Sequence, residues 1–115
     1  MLMVVDILGA EYTIYYKTNK EDSLLKNVDG YCDYTTKEIV VKEAKREVGD
    51  LGNFKRIKNR ILRHELIHAF LYESGLWCNS YGVDKWAENE EMTDWIAIQY
   101  PKINKVFKVL GIDKE

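Results

Sequence analysis

The pentapeptide His64-Glu65-Leu66-Ile67-His68 decides how the rest of this 115-residue sequence is interpreted, because it contains both histidines of the chain. Residues four apart on an α-helix lie on the same face, one turn above the other. The imidazoles of His64 and His68 can therefore reach one metal ion, while Glu65 projects beside them. The pentapeptide predicts a metal site on a helix with a carboxylate next to it.

This spacing is the His-Glu-x-x-His pattern of zinc peptidases. Neutral imidazole nitrogens bind zinc, and zinc lowers the pKa of its water to about 7. A neighbouring carboxylate can then accept a proton from that water. We therefore expect Zn²⁺ as the cofactor, His64 and His68 as two of its ligands, and Glu65 as the catalytic base.

The residues around the motif predict a long buried helix. Asn53 is a plausible N-cap and Gly75 a C-terminal stop. A helix with apolar residues on nearly every face is typically buried, and here the second half carries Ile57, Ile61, Leu62, Leu66, Ile67, Ala69, Phe70 and Leu71. The first half is basic instead. We interpret its charges as a solvated helix end, with a partner-binding surface as the alternative: Lys55, Arg56, Lys58, Arg60 and Arg63.

Two histidines do not complete a catalytic zinc site, which usually has three protein ligands and one open position. The chain has no third histidine, so the remaining ligand must be a carboxylate or a cysteine. The acidic stretch Glu88–Asp94 supplies Glu90, with Glu91 and Glu88 as alternatives, and Cys78 is a further one. An acidic first turn is also favoured by the helix dipole without any metal.

Two stretches carry a resemblance to known peptidases. Asn89-Glu90-x-x-Thr93-Asp94 resembles the Asn-Glu-x-x-Ser-Asp motif of thermolysin-like gluzincins, in which the glutamate binds zinc and the aspartate orients a histidine. The resemblance implies that Glu90 is the third ligand and that Asp94 accepts an imidazole N–H. Glu90 lies 22 residues after His68, which is enough to end one helix and bring back a second, antiparallel one.

Together with Arg63–Phe70, the stretch Asn89–Ala97 resembles the small zinc metallopeptidases encoded by bacteriophages and prophages. These are similar to the minimal gluzincin domain of ImmA/IrrE-type proteases, and Gly30–Asp33 also looks like the phage family. The resemblance implies hydrolysis of peptide bonds in a phage, prophage or host bacterial protein. ImmA/IrrE-type proteins usually carry Glu-Ala-Asn where this chain has Met92–Asp94, so their repressor substrate is not implied.

The first third of the chain predicts β-structure, with strands at Met1–Ile7, Glu11–Lys17, Tyr31–Thr35 and Glu38–Lys42. A second helix is expected from Asp84, its N-cap, to about Tyr100. Pro101 should interrupt it and leave a short third helix, Lys102–Leu110. Four apolar residues of this region are expected to pack as core: Trp86, Trp95, Ile96 and Ile98.

These elements predict a single α+β domain over residues 1–115. A small antiparallel or mixed N-terminal sheet is expected to pack on two metal-bearing helices, followed by a short C-terminal helix. The resemblance implies that this is a minimal gluzincin-like zincin domain. We expect a peptide substrate to align along an exposed sheet edge. Four tyrosines are eligible to stabilise the oxyanion: Tyr31, Tyr34, Tyr81 and Tyr100.

Composition restricts the partners. The net charge of −2 gives no overall basic excess for nucleic acid, and no apolar stretch approaches the roughly 18 residues that span a bilayer. Cys32 and Cys78 are isolated, which fits a reduced cytoplasmic compartment. The expected partner is a protein or peptide substrate. The alternative function is a non-catalytic binding or regulatory module that retains zinc and the peptidase fold.

Overall fold

The computed structural model describes residues 2–43 and 54–114, which form an α+β fold, as predicted. Asn53, the expected N-cap of the first helix, lies outside the described residues. The strands are β1 (Leu2–Ile7), β2 (Ala10–Lys17), β3 (Gly30–Asp33) and β4 (Glu38–Lys42). The helices are α1 (Phe54–Glu73), α2 (Leu76–Asn79) and α3 (Glu90–Val109).

The four strands form a mixed sheet in the order β1-β2-β4-β3. Leu8 and Gly9, both with positive φ, make the tight turn between the antiparallel strands β1 and β2. β2 pairs in parallel with β4, which pairs antiparallel with β3. The β-branched run of β4 is at most 1% exposed, because this strand is central and covered on both faces: Ile39, Val40 and Val41. Strand β3 forms one edge of the sheet.

Helix α1 lies between the sheet and α3 and makes its main contacts with both. Its Ala69 joins a core cluster that is otherwise drawn from the sheet: Ile7, Tyr12, Ile14, Ile39 and Val41. The prediction that the second half of α1 is buried on every side is wrong, since Phe70 is 44% exposed. Two sides of the helix are packed and the others face solvent.

The connection between α1 and α3 was predicted correctly at its first end and wrongly at its second. Gly75 has a φ of 86° directly after α1, which confirms it as the helix stop. The prediction of Asp84 as the next N-cap is wrong. Asp84 and Lys85 both have positive φ, so the chain turns there. Helix α3 begins only at Glu90, where the side chain of Asn89 accepts a hydrogen bond from the Met92 N–H at 2.7 Å.

Pro101 does not interrupt α3, which continues to Val109, so the separate short third helix was a wrong prediction. A proline inside a helix leaves the carbonyl four residues earlier without its N–H donor. That carbonyl belongs to Ala97, and Arg63 Nε of α1 donates to it at 2.7 Å. A side chain of the neighbouring helix thus replaces the missing backbone bond.

The tryptophans expected in the core are largely exposed, Trp86 to 44% and Trp95 to 57%. Helix α3 instead buries the small residues Thr93 and Ala97, which lets it approach α1 closely. In the described part of the chain, no helix combines the length and the apolar character that crossing a membrane requires.

Candidate metal centre

Two imidazoles and one carboxylate meet at the contact between α1 and α3. His64 Nε2 lies 3.1 Å from His68 Nε2 and 3.3 Å from Glu90 Oε2. His68 Nε2 also contacts Glu90 Oε1. One ligand atom from each residue can be chosen so that all three atoms lie within 4.8 Å of one another. This group could hold a metal ion.

The spacing of the three groups fits a small tetrahedral cation. Ligand atoms about 2.0–2.1 Å from a tetrahedral zinc ion are about 3.3 Å from one another. The distances of 3.1 and 3.3 Å that His64 Nε2 makes to His68 and Glu90 are close to that value, while His68 and Glu90 lie closer together. Two imidazole nitrogens and one carboxylate oxygen are also a donor set that zinc accepts.

Asp94 contacts the opposite side of the His64 ring, with Oδ1 3.3 Å from Nδ1. Because Glu90 and Asp94 are one turn apart on α3, one helix face presents both carboxylates to His64. An N–H on Nδ1 that donates to Asp94 leaves the Nε2 lone pair directed at Glu90 and His68. This is the arrangement expected for a metal-binding imidazole held in one tautomer.

The alternative third ligands lie elsewhere. Glu91 borders a surface hollow together with Trp86 and Trp95, and Cys78 is an exposed free thiol that does not belong to the group. Among the described residues, the structure brings Glu90 to the two histidines. Neither the cysteines nor the other glutamates of the described ranges belong to the group.

Glu65 is only 7% exposed and does not belong to the ligand group. Burial raises its pKa to about 7; the charge of Glu90 acts in the same direction and that of His64 opposes it. The nearby Cys32 thiol has its pKa raised to about 12 by burial and by the charge of Glu65. Cys32 therefore stays neutral, and Glu65 is the group beside the histidines that can exchange a proton near neutral pH.

Two clefts border Glu65; one runs along strand β3, and the other meets that strand only at its first residue, Gly30. One, of about 220 Å³, lies toward the end of β3 and is lined by Tyr31, Tyr34, Trp77 and His68, among others. The other, of about 280 Å³, lies toward the start of β3 and is bordered by residues of both long helices: Arg60, Ile61, His64, Glu90 and Asp94. Glu65, Glu90 and Gly30 border both clefts.

Gly30 allows β3 to lie this close to α1. A Cβ at this position would be 2.9 Å from Ile61 Cγ2, 3.0 Å from the Val40 carbonyl oxygen and 3.5 Å from Glu65 Cγ. The first two distances are too short for ordinary packing. A side chain here would therefore push the edge strand away from the helix that carries Glu65.

Of the four tyrosines considered as oxyanion donors, Tyr31 and Tyr34 border the cleft beside Glu65. The Tyr31 hydroxyl already donates its proton to the Asp22 carboxylate, so it is not free to donate to an oxyanion. Tyr34 stacks on Tyr72 with ring centroids 4.1 Å apart. Tyr81 and Tyr100 are exposed and do not line either cleft. Tyr34 is the tyrosine whose position best suits the role.

The surroundings of His68 include residues that the sequence analysis did not identify. Its ring meets the ring of Trp77, a residue of α2, edge to face at 5.9 Å. Within the described residues, three buried polar atoms have no hydrogen-bond partner: His68 Nδ1, Trp77 Nε1 and Glu88 Oε2. Burial lowers the pKa of His68, and the carboxylates of Glu90 and Glu88 oppose this shift. His68 is thereby kept neutral, the form that binds metal.

Comparison of the chain with models of known protein families, with curated proteins and with solved structures finds no match. The metal centre therefore has to be interpreted from its own geometry and chemistry.

Proposed function

We propose that this protein is a zinc-dependent metalloendopeptidase of the gluzincin type, acting on a phage, prophage or host bacterial protein. The observation that carries the proposal is the position of Glu65. A buried carboxylate outside the ligand group stands beside His64, His68 and Glu90 and borders both clefts. A site that only stored or bound metal would not need this fourth group.

His64, His68 and Glu90 would hold the metal, and Asp94 would keep His64 in the tautomer that binds it. A bound zinc ion supplies Lewis acidity, which lowers the pKa of the attacking water and polarises the carbonyl of the substrate. Glu65 would accept a proton from the attacking water and pass it to the leaving amine. A pKa near 7 suits both transfers. The Tyr34 hydroxyl can donate to the developing oxyanion.

Strand β3 is well placed to bind the peptide. It forms an edge of the sheet, runs along the cleft of about 220 Å³ and begins at the other cleft, so an added peptide strand would run past Glu65 with main-chain hydrogen bonds to β3. Gly30 keeps the approach between β3 and α1 narrow. The proposed substrate is therefore an extended segment of a protein.

A closed structural zinc site is the competing possibility, and such sites usually have four protein ligands, often with cysteine. The ligand group contains three residues, and neither Cys32 nor Cys78 belongs to it. This composition favours an open catalytic site over a purely structural one.

The proposal is tested with the variant Glu65→Gln, which removes the base and nearly preserves side-chain volume. The purified wild-type chain should contain about one zinc ion and cleave a mixture of unstructured peptides, as followed by mass spectrometry. The variant should keep its zinc and lose at least about a thousandfold in kcat/KM. Glu91→Gln, outside the clefts, is the control and should keep both. Full activity of Glu65→Gln would exclude the assigned base.

A further inference from the structure

A groove of about 590 Å³ lies between the first half of α1 and the second half of α3. Both helices contribute positive charge to it, and no acidic side chain is among the described residues that line it. The basic side chains are Lys55, Arg56, Arg60, Arg63 and Lys102. In a chain of net charge −2, this concentration of cations is a local feature.

The groove also has an apolar floor, formed by Ile57, Ile98 and Pro101. The bond from Arg63 Nε to the Ala97 carbonyl joins the two helices that form the groove. The groove therefore lies between packed helices, with exposed basic side chains along it. Basic side chains around apolar ones match a ligand that carries acidic groups around an aliphatic side chain.

Arg60 connects this groove to the metal centre. It lines the groove and also the cleft of about 280 Å³ that contains His64, Glu65 and Glu90. A polypeptide that passes Glu65 along β3 and continues past Arg60 would therefore enter the groove. Both surfaces can hold neighbouring parts of one extended chain.

We propose that the groove binds an acidic segment of the substrate protein, with an aliphatic side chain on the floor and Asp or Glu residues against Arg60 and Lys102. The segment adjoins the bond that is cleaved. Its identity as part of a substrate rests on the proposed peptidase function, whereas the docking itself does not.

The charge of the adjoining cleft favours a peptide over a nucleic acid. The cleft that Arg60 shares with the groove also contains four carboxylates, which would repel a continuous phosphate backbone: Asp29, Glu65, Glu90 and Asp94. A peptide can carry acidic residues in the groove and neutral ones a few residues further on. The apolar floor likewise suits a leucine or isoleucine better than a phosphate.

The test measures binding without hydrolysis, using the full-length Glu65→Gln chain and fluorescence anisotropy. The probes are two labelled peptides with the same neutral central segment and a leucine flanked by Glu at either end, or by Gln in the matched peptide. The Glu peptide should bind about tenfold more tightly at low salt, and added salt should reduce this difference.

Two charge-matched pairs of substitutions locate the effect. Arg60→Gln/Lys102→Gln should abolish the preference for Glu, whereas Lys105→Gln/Lys108→Gln, on α3 but outside the groove, should keep it. Equal affinity for both peptides, or equal losses in both double variants, would overturn the proposal. Stronger competition by a single-stranded oligonucleotide than by the Glu peptide would overturn it in favour of nucleic acid.

The two proposals fail in different ways. If wild-type protein cleaves no peptide while the preference for Glu remains, the peptidase assignment is rejected and the docking site stands. If wild-type protein cleaves the Glu and Gln peptides with the same kcat/KM, the peptidase stands and the docking proposal is rejected.

Discussion

The two long helices contribute unequal halves to the candidate metal centre. Helix α1 supplies Glu65 and His68, each 7% exposed, from between the sheet and α3. Helix α3 supplies Glu90 and Asp94, whose side chains are 69% and 48% exposed. Changes on α3 should therefore affect metal affinity and little else. Changes on α1 should also alter the stability of the fold, because the groups there are desolvated.

The largest effect expected from the exposed half is on zinc affinity. Glu90→Ala should weaken zinc binding by about a hundredfold to a thousandfold, because one ligand in about four carries a corresponding share of a total near 10–16 kcal/mol. Competition with a chromophoric chelator measures it. The free energy of unfolding of the metal-free protein should change by less than about 0.5 kcal/mol.

Glu91→Ala is the matched control, since Glu91 is the next residue on α3 and faces a different hollow. It should change zinc affinity by less than about twofold. A larger loss of zinc affinity in Glu91→Ala than in Glu90→Ala would identify Glu91 as the third ligand. It would also require a different alignment of α3 with α1.

The buried carboxyl group of Glu65 on α1 predicts that the stability of the fold depends on pH. The pKa of Glu65 is raised from 4.5 to about 7 in the folded protein, so the folded state binds more protons than the unfolded state between these values. Stability from this group is present below about pH 4.5 and is lost as the pH rises to about 7, by up to about 3 kcal/mol. Metal-free Glu65→Gln should not show this loss.

Urea unfolding of both proteins in chelator, across this pH range, measures the difference. The lowered pKa of His68 acts in the opposite direction, because it removes stability as the pH falls below its unfolded value near 6.5. Glu65 is not among the charges that shift His68, so the His68 contribution should cancel between wild type and variant. If the free energy of unfolding changed with pH in the same way in both proteins, the desolvation of Glu65 would be contradicted.

A smaller effect on the stability of the fold is expected where strand β3 packs against α1. Gly30→Ala should destabilise the fold by about 2 kcal/mol, because its Cβ would overlap Ile61 and the Val40 carbonyl. Chemical unfolding measures this loss. Gly82→Ala, with no atom within 4 Å of its added Cβ, should stay within about 0.5 kcal/mol of wild type. Equal stabilities of the two variants would mean that β3 does not need to approach α1 so closely.

Elements with strong local signals could be predicted from the sequence. The run Ile39–Val41 indicated a buried strand, and Gly75 marked the end of α1, because strand propensity and helix termination depend on neighbouring residues. Asp84 had the right residue type for an N-cap but the wrong backbone conformation. A turn at Asp84–Lys85 displaced the start of α3 to the next suitable cap, Asn89.

Other errors came from contacts between distant residues. Pro101 indicated a helix end, yet Arg63 of the other helix supplies the donor that proline lacks. Trp86 and Trp95 were expected in the core by their hydrophobicity, but the α1–α3 contact favours small residues such as Ala97. Helix propensity and hydrophobicity are properties of the individual residue. Whether a helix continues and whether a side chain is buried depend also on the residues that pack against it.

The sequence by itself determined that two imidazoles and a carboxylate share one turn of a helix, because the spacing of His64, Glu65 and His68 fixes their geometry through the helical repeat. It did not determine which acidic residue meets them. Only the tertiary structure brought Glu90 to the histidines, placed β3 along Glu65 and joined Arg60 to a basic groove. These features depend on the packing of elements far apart in the chain, which local periodicity does not encode.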